Sequence, residues 1–346
     1  MAAPQAVPRS QASSGTGRRF RSRCFSRRLD RPFQTDAQAG PARPDGTASG
    51  ASVASLERNR AAVPLEVFLD LHTARGRNRH VLQERLERDG FAVVEDALDL
   101  DAVARLTAAV ERVRRAESPN GHAFHRLAFL GLDDAFLELV DHPAVLPIVL
   151  DVLGWNIYVY HCHLDVHPPL AADAEPQWRW HQDGGRQNVE VESPRPRLSL
   201  KVAWFLTDVP TAVHGALRVV PGSHMRDVLT RDREPDDAVP LLVRAGTAVV
   251  LDRRLWHARG DNHSDTTRRV LFYAYTHRWI RPRDDLGIDE ERVAGLEPVR
   301  RQLLGWGTSA IGHWIPTEED VPLRDAIEHR PCASSSSATW RASPGS

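Results

Sequence analysis

Apolar side chains in the first part of the chain recur at the spacing of an amphipathic helix. Between residues 103 and 113, four valine or leucine side chains lie three or four positions apart and would share one helical face. Gly90 ends an earlier helical pattern, and the apolar run after it is typical of a short strand. We expect helices at residues 81–88, 99–115 and 136–153 and a strand at residues 91–95.

From residue 156 onward the pattern becomes that of strands. Strand-like runs, bounded by Pro-, Gly- or Asp-rich turns, cover residues 157–166, 198–206, 216–220, 247–251 and 269–276. Helices followed by strands, without regular alternation of the two, argue against a Rossmann fold or a TIM barrel. We therefore predict a mainly β (α+β) protein, with a double-stranded β-helix, or jelly roll, flanked by N-terminal and C-terminal helices.

The composition is that of an ordinary globular protein with unusual ends. The chain has 346 residues, of which 41% are hydrophobic and 26% charged, and a formal net charge of −1. Residues 1–50 contain nine arginines among Ala, Ser, Pro and Gly, a composition that cannot form a core and is typical of an inert tail, a targeting peptide or a nucleic-acid-binding arm. We predict one folded domain at residues 63–328, between disordered tails at residues 1–62 and 329–346.

Cysteine and lysine content narrow the chemistry. Cys24, Cys162 and Cys332 are too far apart for a disulfide framework or a zinc ribbon, which favours a reducing, cytoplasmic setting. The longest apolar stretches are too short and too interrupted by charge to cross a bilayer. Lys201 is the only lysine among 45 basic residues, which nearly excludes lysine-dependent covalent chemistry. Strand alternation should direct it away from Trp204, and we expect a structural role for it.

Three His-x-Asp triplets are candidates for a metal site. Residues two apart in a strand point to the same face, so the imidazole and carboxylate of such a triplet can share one cation. The triplet His181/Asp183 has a third candidate ligand in His257, 74 residues after Asp183 at the end of a strand-like run. Two histidines and one carboxylate leave three positions of a metal open, which is the arrangement of non-haem iron sites.

The other two triplets are weaker candidates. His263/Asp265 lies in a polar loop, which is a poor place for rigid ligands. His163/Asp165 lies on an expected strand and stays a competitor for the metal. Arg268 opens the strand that follows the distal histidine, where its guanidinium could hold a carboxylate through two parallel hydrogen bonds.

Seven short motifs between residues 89 and 271 form an ordered set. They are DGFAVVE at 89–95, DHPAVL at 141–146, WHQD at 180–183, KVAWFLTD at 201–208, GALRVVPGSH at 215–224, WHARGDN at 256–262 and RRVL at 268–271. Each motif alone is loose, but their order is specific. In this order the region from about residue 86 to 279 resembles the phytanoyl-CoA dioxygenase family of iron(II)- and 2-oxoglutarate-dependent oxygenases.

The resemblance implies a role for each residue that matches a family motif. His181, Asp183 and His257 match the iron ligands, and Arg268 matches the arginine that pairs with the far carboxylate of 2-oxoglutarate. Related halogenases replace the ligand carboxylate by a small residue. Because Asp183 is present, halogenation is disfavoured.

The resemblance also implies further cosubstrate contacts. Trp204 falls where the family places an aromatic residue against 2-oxoglutarate, although core packing explains an inward tryptophan equally well. His163 falls close to another cosubstrate position, with a buried structural histidine as the alternative, and Arg126 matches a basic residue that assists binding. Arg259 stands where relatives carry a small hydroxyl residue. Either it points away, or Arg268 holds the carboxylate with other help, for which Tyr273 is a candidate.

The predicted function is that of a non-haem iron, 2-oxoglutarate-dependent dioxygenase. It would use O2 to hydroxylate an unactivated C–H bond of a small natural-product-like molecule, releasing succinate and CO2. Desaturation, ring closure or peroxide formation at the same site, a jelly-roll metal protein that does not use 2-oxoglutarate, and a non-catalytic binding protein are the alternatives. We expect a small-molecule substrate, no nucleic acid or membrane partner, and no concentrated basic patch inside the domain. Trp306 and Trp314, beyond the barrel, would cap the pocket or form a homodimer interface.

Overall fold

The computed structural model describes residues 74–171, 174, 179–185, 187–226, 233–306 and 311–328. Both expected tails, residues 1–62 and 329–346, lie outside these residues, so the domain boundaries stay predictions. None of the helices in the described ranges is long and apolar enough to cross a membrane.

Helices flank the strands on both sides in sequence. Asp99 begins the helix that carries the apolar pattern, because its side chain accepts a hydrogen bond from the N–H of Ala102 at 2.7 Å. The helices in the described part are α1 (Ala74–Asp89), α2 (Leu100–Glu117), α3 (Asp134–Leu137), α4 (Leu146–Leu153), α5 (Gln187–Glu190), α6 (Glu290–Ala294), α7 (Pro298–Leu303) and α8 (Pro322–Glu328).

The expectation of one helix over residues 136–153 is wrong. The structure has two short helices, α3 and α4, separated by residues 138–145. Pro143 lies in the gap between them. Proline has no N–H to donate and disfavours the helical conformation in the residue before it, so the helical pattern is interrupted there.

Nine strands in the described ranges form two antiparallel sheets. They are β1 (Phe91–Val94), β2 (Phe124–Leu127), β3 (Ile157–His167), β4 (Ser199–Phe205), β5 (Leu217–Val219), β6 (Val239–Leu241), β7 (Ala248–Asp252), β8 (His257–Arg259) and β9 (Arg268–His277). The main sheet has the order β1-β7-β4-β9-β3-β2, and the small sheet has the order β6-β5-β8. The predicted mainly β jelly roll with outer helices is confirmed.

Strand alternation gives the main sheet two different faces. On β4, Val202 and Trp204 pack in the larger core cluster, between this sheet and the helices. Ala203 and Phe205 pack in a second cluster, between the main sheet and the small sheet. The same alternation along β3 and β9 directs every second side chain into the space between the sheets, which is where the candidate site lies.

Candidate active site

Two histidines meet where the segment after Trp180 runs beside β8. His181 and His257 exchange backbone hydrogen bonds, with N···O distances of 3.1 and 3.0 Å, and their ring centroids are 4.3 Å apart. The Nδ1 of each ring lies 2.9 Å from the carbonyl oxygen two residues earlier in the chain. An Nδ1–H that donates to a carbonyl leaves Nε2 as the free acceptor, so both imidazoles present Nε2 to a metal.

Asp183 completes the group. Its N–H donates to the carbonyl of Arg253 at 2.9 Å, and its Oδ1 lies 3.9 Å from Nε2 of His181. The turn that follows requires glycine, because Gly184 has a φ of +113° and a Cβ there would meet the guanidinium of Arg253. One ligand atom from each of His181, Asp183 and His257 lies within 4.8 Å of the other two, a spacing that could hold a metal ion. Among the described residues, the competing triplet at residues 163–165 is not part of such a group.

The protonation states at the site suit a metal. Burial opposes ionisation of Asp183, but the charges of Lys201, His257 and His181 hold its pKa well below the usual range. Burial, reinforced by His181, lowers the pKa of His257 to about 3. Near neutral pH the site therefore contains a carboxylate and a neutral imidazole, which are the forms that bind metals.

Lys201 contacts the same carboxylate. Its Nζ lies 2.6 Å from Oδ2 of Asp183 and 5.8 Å from the ring centroid of Phe272. The alternation expected relative to Trp204 is present, but Lys201 occupies the face of β4 that borders the site. Its ammonium is therefore a direct partner of the carboxylate of the candidate metal site, and the structural role expected for it stays a prediction.

Replacing Lys201 with methionine should destabilise the metal-free protein by about 3–5 kcal/mol, because Asp183 would stay buried without its cationic partner. A bound divalent ion supplies that positive charge, so the rise in melting temperature on adding zinc(II) should be larger for Lys201→Met than for the wild type. Thermal unfolding with and without zinc(II) measures the difference. As a control, Arg269→Met breaks an ion pair with Glu111 on the other face of the sheet and should leave the rise unchanged. An equal rise in all three proteins would contradict the prediction.

Arg268 lies at the start of β9 with its guanidinium buried. The residue is 2% exposed, and none of its three side-chain nitrogens has a hydrogen-bond partner among the described residues. Its Cζ lies 5.6 Å from the ring centroid of Phe205. Burial lowers the pKa of Arg268 to about 10, so the side chain keeps its positive charge near neutral pH. Because an unpartnered buried cation is costly, the arrangement favours an anion bound beside it.

A cavity of about 350 Å³ joins these residues. The three candidate metal ligands, Lys201 and Arg268 all line it. Its apolar lining among the described residues is limited to Leu127, Leu217 and Phe272. Most of the wall is therefore able to form hydrogen bonds or ion pairs with a bound molecule.

His163 lines the cavity at the end of a hydrogen-bonded chain. Its ring stacks on Phe272 with centroids 4.3 Å apart, and its Nδ1 lies 3.1 Å from Nε2 of His161. The Nδ1 of His161 lies 2.6 Å from Oδ2 of Asp284. If His161 donates its Nδ1–H to this carboxylate, its Nε2 accepts from His163, and Nε2 of His163 is left as an acceptor. Burial, together with the charge of Lys201, keeps the pKa of His163 well below its usual value, so this ring is neutral.

Three expected cosubstrate contacts lie on the other face of the main sheet. Trp204 is fully buried with its ring centroid 5.0 Å from that of His142, which favours the core-packing alternative. Arg126 forms an ion pair with Glu117 at 2.7 Å. The hydroxyl of Tyr273 donates to a backbone carbonyl of α3 at 2.7 Å. The assignments of Trp204, Arg126 and Tyr273 to 2-oxoglutarate are therefore corrected, because strand alternation directs all three side chains away from the cavity.

Arg259 faces the cavity rather than away from it. Its Nη1 lies 2.5 Å from Nε2 of His167. The same imidazole nitrogen lies 3.7 Å from Oδ2 of Asp165, whose other oxygen lies 2.5 Å from Nδ1 of His125. The sequence analysis did not identify this series of contacting side chains. The alternation of β3 could have placed Asp165 and His167 on one face, whereas nothing in the sequence marks His125, which lies on a strand of four residues.

The fold and the site together define a class of protein. An antiparallel jelly roll that gathers two histidines and one carboxylate at a polar cavity has the arrangement of the non-haem iron oxygenases. Comparison with known families narrows the class, because the sequence model for phytanoyl-CoA dioxygenase matches residues 86–270. The chain belongs to the phytanoyl-CoA dioxygenase family, and its relatives include named dioxygenases.

Individual relatives agree with this membership. An uncharacterised protein of Mycobacterium tuberculosis is 31% identical over 261 residues, which cover 66% of this chain and 88% of that protein. The dioxygenase trt7 of Aspergillus terreus is 30% identical over 238 residues, which cover 65% of this chain and 83% of that protein. The crystal structure of HygX from Streptomyces hygroscopicus, with nickel and 2-oxoglutarate bound, matches with a TM-score of 0.50 and 14% identity. That match covers 61% of this chain and 92% of HygX, and it supports the fold alone.

Proposed function

We propose that His181, Asp183 and His257 hold iron(II) and that Arg268 pairs with the distal carboxylate of 2-oxoglutarate. The observation that carries this proposal is the buried, unpartnered guanidinium of Arg268, which lines the same cavity as the three ligands. A dicarboxylate satisfies both requirements of the cavity, since one end can bind the metal and the other can neutralise the arginine. Two imidazoles and one carboxylate leave three metal positions for 2-oxoglutarate and O2.

The protein's own side chains prepare the site for this ligand set. Lys201 bonds Oδ2 of Asp183, which would leave Oδ1 of the same carboxylate for the metal. The backbone carbonyls beside His181 and His257 fix both rings with Nε2 toward the metal. His163 can accept a hydrogen bond from a substrate through its Nε2. Iron(II) with 2-oxoglutarate and O2 supplies an oxidant strong enough to attack an unactivated C–H bond, with release of succinate and CO2.

We infer that the reaction is hydroxylation of a small natural-product-like molecule. The cavity of about 350 Å³ supports a small substrate, since it must also hold the cosubstrate. Desaturation, ring closure and peroxide formation would use the same ligands and the same arginine. They differ only in where the substrate carbon lies.

We also infer a cytoplasmic enzyme that acts without nucleic acid or membrane partners. The widely spaced cysteines support this setting, and Cys162 is buried as a free thiol. Neither Trp306 nor Trp314 lines the cavity. Trp314 is 69% exposed and Ile315 is 70% exposed, which supports a homodimer interface over a pocket cap as the role of this segment.

Succinate formation tests the proposed function. Aerobic incubation with iron(II), ascorbate and 2-oxoglutarate should yield succinate slowly even without a substrate, and His181→Ala should reduce the yield by at least ~100-fold because a first ligand is lost. His263→Ala, in the polar-loop triplet, is the matched control and should behave like the wild type. Equal yields from His181→Ala and the wild type, or no iron-dependent succinate from the wild type, would contradict the proposal.

A further inference from the structure

Arginine side chains outside the cavity are mostly paired with carboxylates. Arg197 lies 2.6 Å from Asp252 and also bonds Glu87 at 2.9 Å, and Arg300 lies 2.7 Å from Asp141. Pairs of this kind recur on helices and strands throughout the described ranges. An arginine that is held apart from every carboxylate is available to bind an anion from solution.

Four arginines line the cavity, and none of them forms an ion pair with a described carboxylate. Arg268 is buried without any hydrogen-bond partner among these residues. Arg259 and Arg283 each place Nη1 near Nε2 of a histidine, at 2.5 and 3.4 Å. The backbone carbonyl of Arg179 accepts from Nδ1 of His181, and its guanidinium has no hydrogen-bond partner among the described residues. The expectation of no concentrated basic patch is therefore wrong, because folding brings together arginines that are far apart in the sequence.

The two carboxylates that line the cavity are already occupied. Asp183 is bound by Lys201 at 2.6 Å and, in the proposed function, by the metal. Asp165 lies 2.5 Å from Nδ1 of His125 and 3.7 Å from Nε2 of His167. Neither carboxylate forms an ion pair with a cavity arginine among the described residues, and two carboxylates are fewer than the five cationic side chains of the lining. When 2-oxoglutarate pairs with the buried Arg268, the other cavity arginines still leave an excess of positive charge.

Hydrogen bonds to β3 hold the backbone of the loop that carries Arg283. Its N–H donates to the carbonyl of Tyr160 at 2.9 Å. The next residue, Asp284, accepts from the N–H of Cys162 at 2.9 Å and lies 2.6 Å from Nδ1 of His161. The loop is thus fastened to β3 at three points, while the guanidinium of Arg283 stays exposed at the cavity. A cation on an anchored backbone loses less conformational entropy when it binds an anion.

We propose that the substrate carries an oxyanion, a carboxylate or a phosphate group, which Arg283 and Arg179 bind at the exposed end of the cavity. This inference rests on the proposed function, in which 2-oxoglutarate occupies Arg268. Guanidinium groups bind both kinds of oxyanion through two parallel hydrogen bonds. The cavity volume of about 350 Å³ and the few apolar lining side chains favour a compact polar anion over a long acyl chain.

The test uses small anions as probes, because they carry the recognised group alone. Protein loaded anaerobically with iron(II) and saturating 2-oxoglutarate is titrated with methylphosphonate, acetate and acetamide. The visible absorption band of the iron–2-oxoglutarate complex reports whether the proposed function holds, and calorimetry reports whether the probe binds. We expect at least one of the two anions to bind, while acetamide, the neutral analogue of acetate, does not. The anion that binds with the higher affinity shows whether the substrate group is a phosphate or a carboxylate.

Variants that remove one positive charge test whether Arg283 and Arg179 bind the anion. Arg283→Gln and Arg179→Gln should each weaken anion binding by about tenfold or more, since each removes a charged hydrogen-bond partner. Arg281→Gln is the matched control, because Arg281 lies two residues from Arg283 but does not line the cavity. It should bind the anion as the wild type does.

Several results would overturn the inference. It fails if neither anion binds while the visible band is present, if acetamide binds as well as acetate, or if Arg281→Gln loses as much affinity as Arg283→Gln. It also fails if the anion only displaces 2-oxoglutarate, which excess 2-oxoglutarate would reverse. Absence of the band in the wild type is a different result, since it contradicts the proposed function itself.

Discussion

Replacing Arg268 with glutamine should weaken 2-oxoglutarate binding by about 30-fold or more. Removing one partner of a buried charge pair costs about 2–5 kcal/mol, and each ~1.4 kcal/mol is a tenfold change in Kd. The variant should fold at least as well as the wild type without cosubstrate, because the substitution removes an unpartnered buried charge. Calorimetric titration of the metal-loaded protein with 2-oxoglutarate measures Kd, and thermal unfolding checks the fold.

Arg269→Gln is the control for this prediction. Arg269 is the next residue of β9, and its guanidinium bonds Glu111 at 2.8 Å on the helix side of the main sheet. This variant should bind 2-oxoglutarate with nearly the wild-type Kd. If Arg268→Gln also binds the cosubstrate normally, the distal carboxylate is held elsewhere, and Arg259 becomes the next candidate.

Replacing Asp183 with alanine should weaken iron(II) binding by at least about 100-fold and abolish succinate formation. The substitution removes the only anionic ligand of the group and leaves Lys201 as an uncompensated cation beside the metal position. Anaerobic titration with iron(II) measures the affinity. Asp165→Asn is the matched control, since it changes a carboxylate of the same cavity that belongs to the competing triplet. Normal iron binding by Asp183→Ala together with loss in Asp165→Asn would show that the competing triplet is the metal site.

The sequence could predict the long elements because their periodicity is strong. The helix that became α2 and the strands β3, β4, β7 and β9 are long enough to show an apolar pattern. The strands β2, β6 and β8 have only three or four residues each, and their positions depend on pairing with distant parts of the chain. Pro143 marks the break between α3 and α4 in the sequence. The apolar pattern on both sides of Pro143, however, predicts one continuous helix.

The candidate site shows a sharper limit of sequence reasoning. Alternation correctly places Lys201 and Trp204 on opposite faces of β4, but it cannot tell which face borders the cavity. The structure shows that the face of Lys201 borders the cavity. The side chain of Trp204 packs against the helices, and Lys201 bonds the metal-site carboxylate. Arg179 and Arg283 lie in irregular segments without any period, so only the folded structure shows that they converge on one cavity.

The central claim is that His181, Asp183 and His257 bind iron(II) and that 2-oxoglutarate then binds the same metal. The most direct measurement is the visible absorption spectrum of the anaerobic wild-type protein with iron(II), before and after addition of 2-oxoglutarate. We predict a weak metal-to-ligand charge-transfer band that requires both additions and is absent from Asp183→Ala. No band in the wild type, or an unchanged band in Asp183→Ala, would contradict the claim.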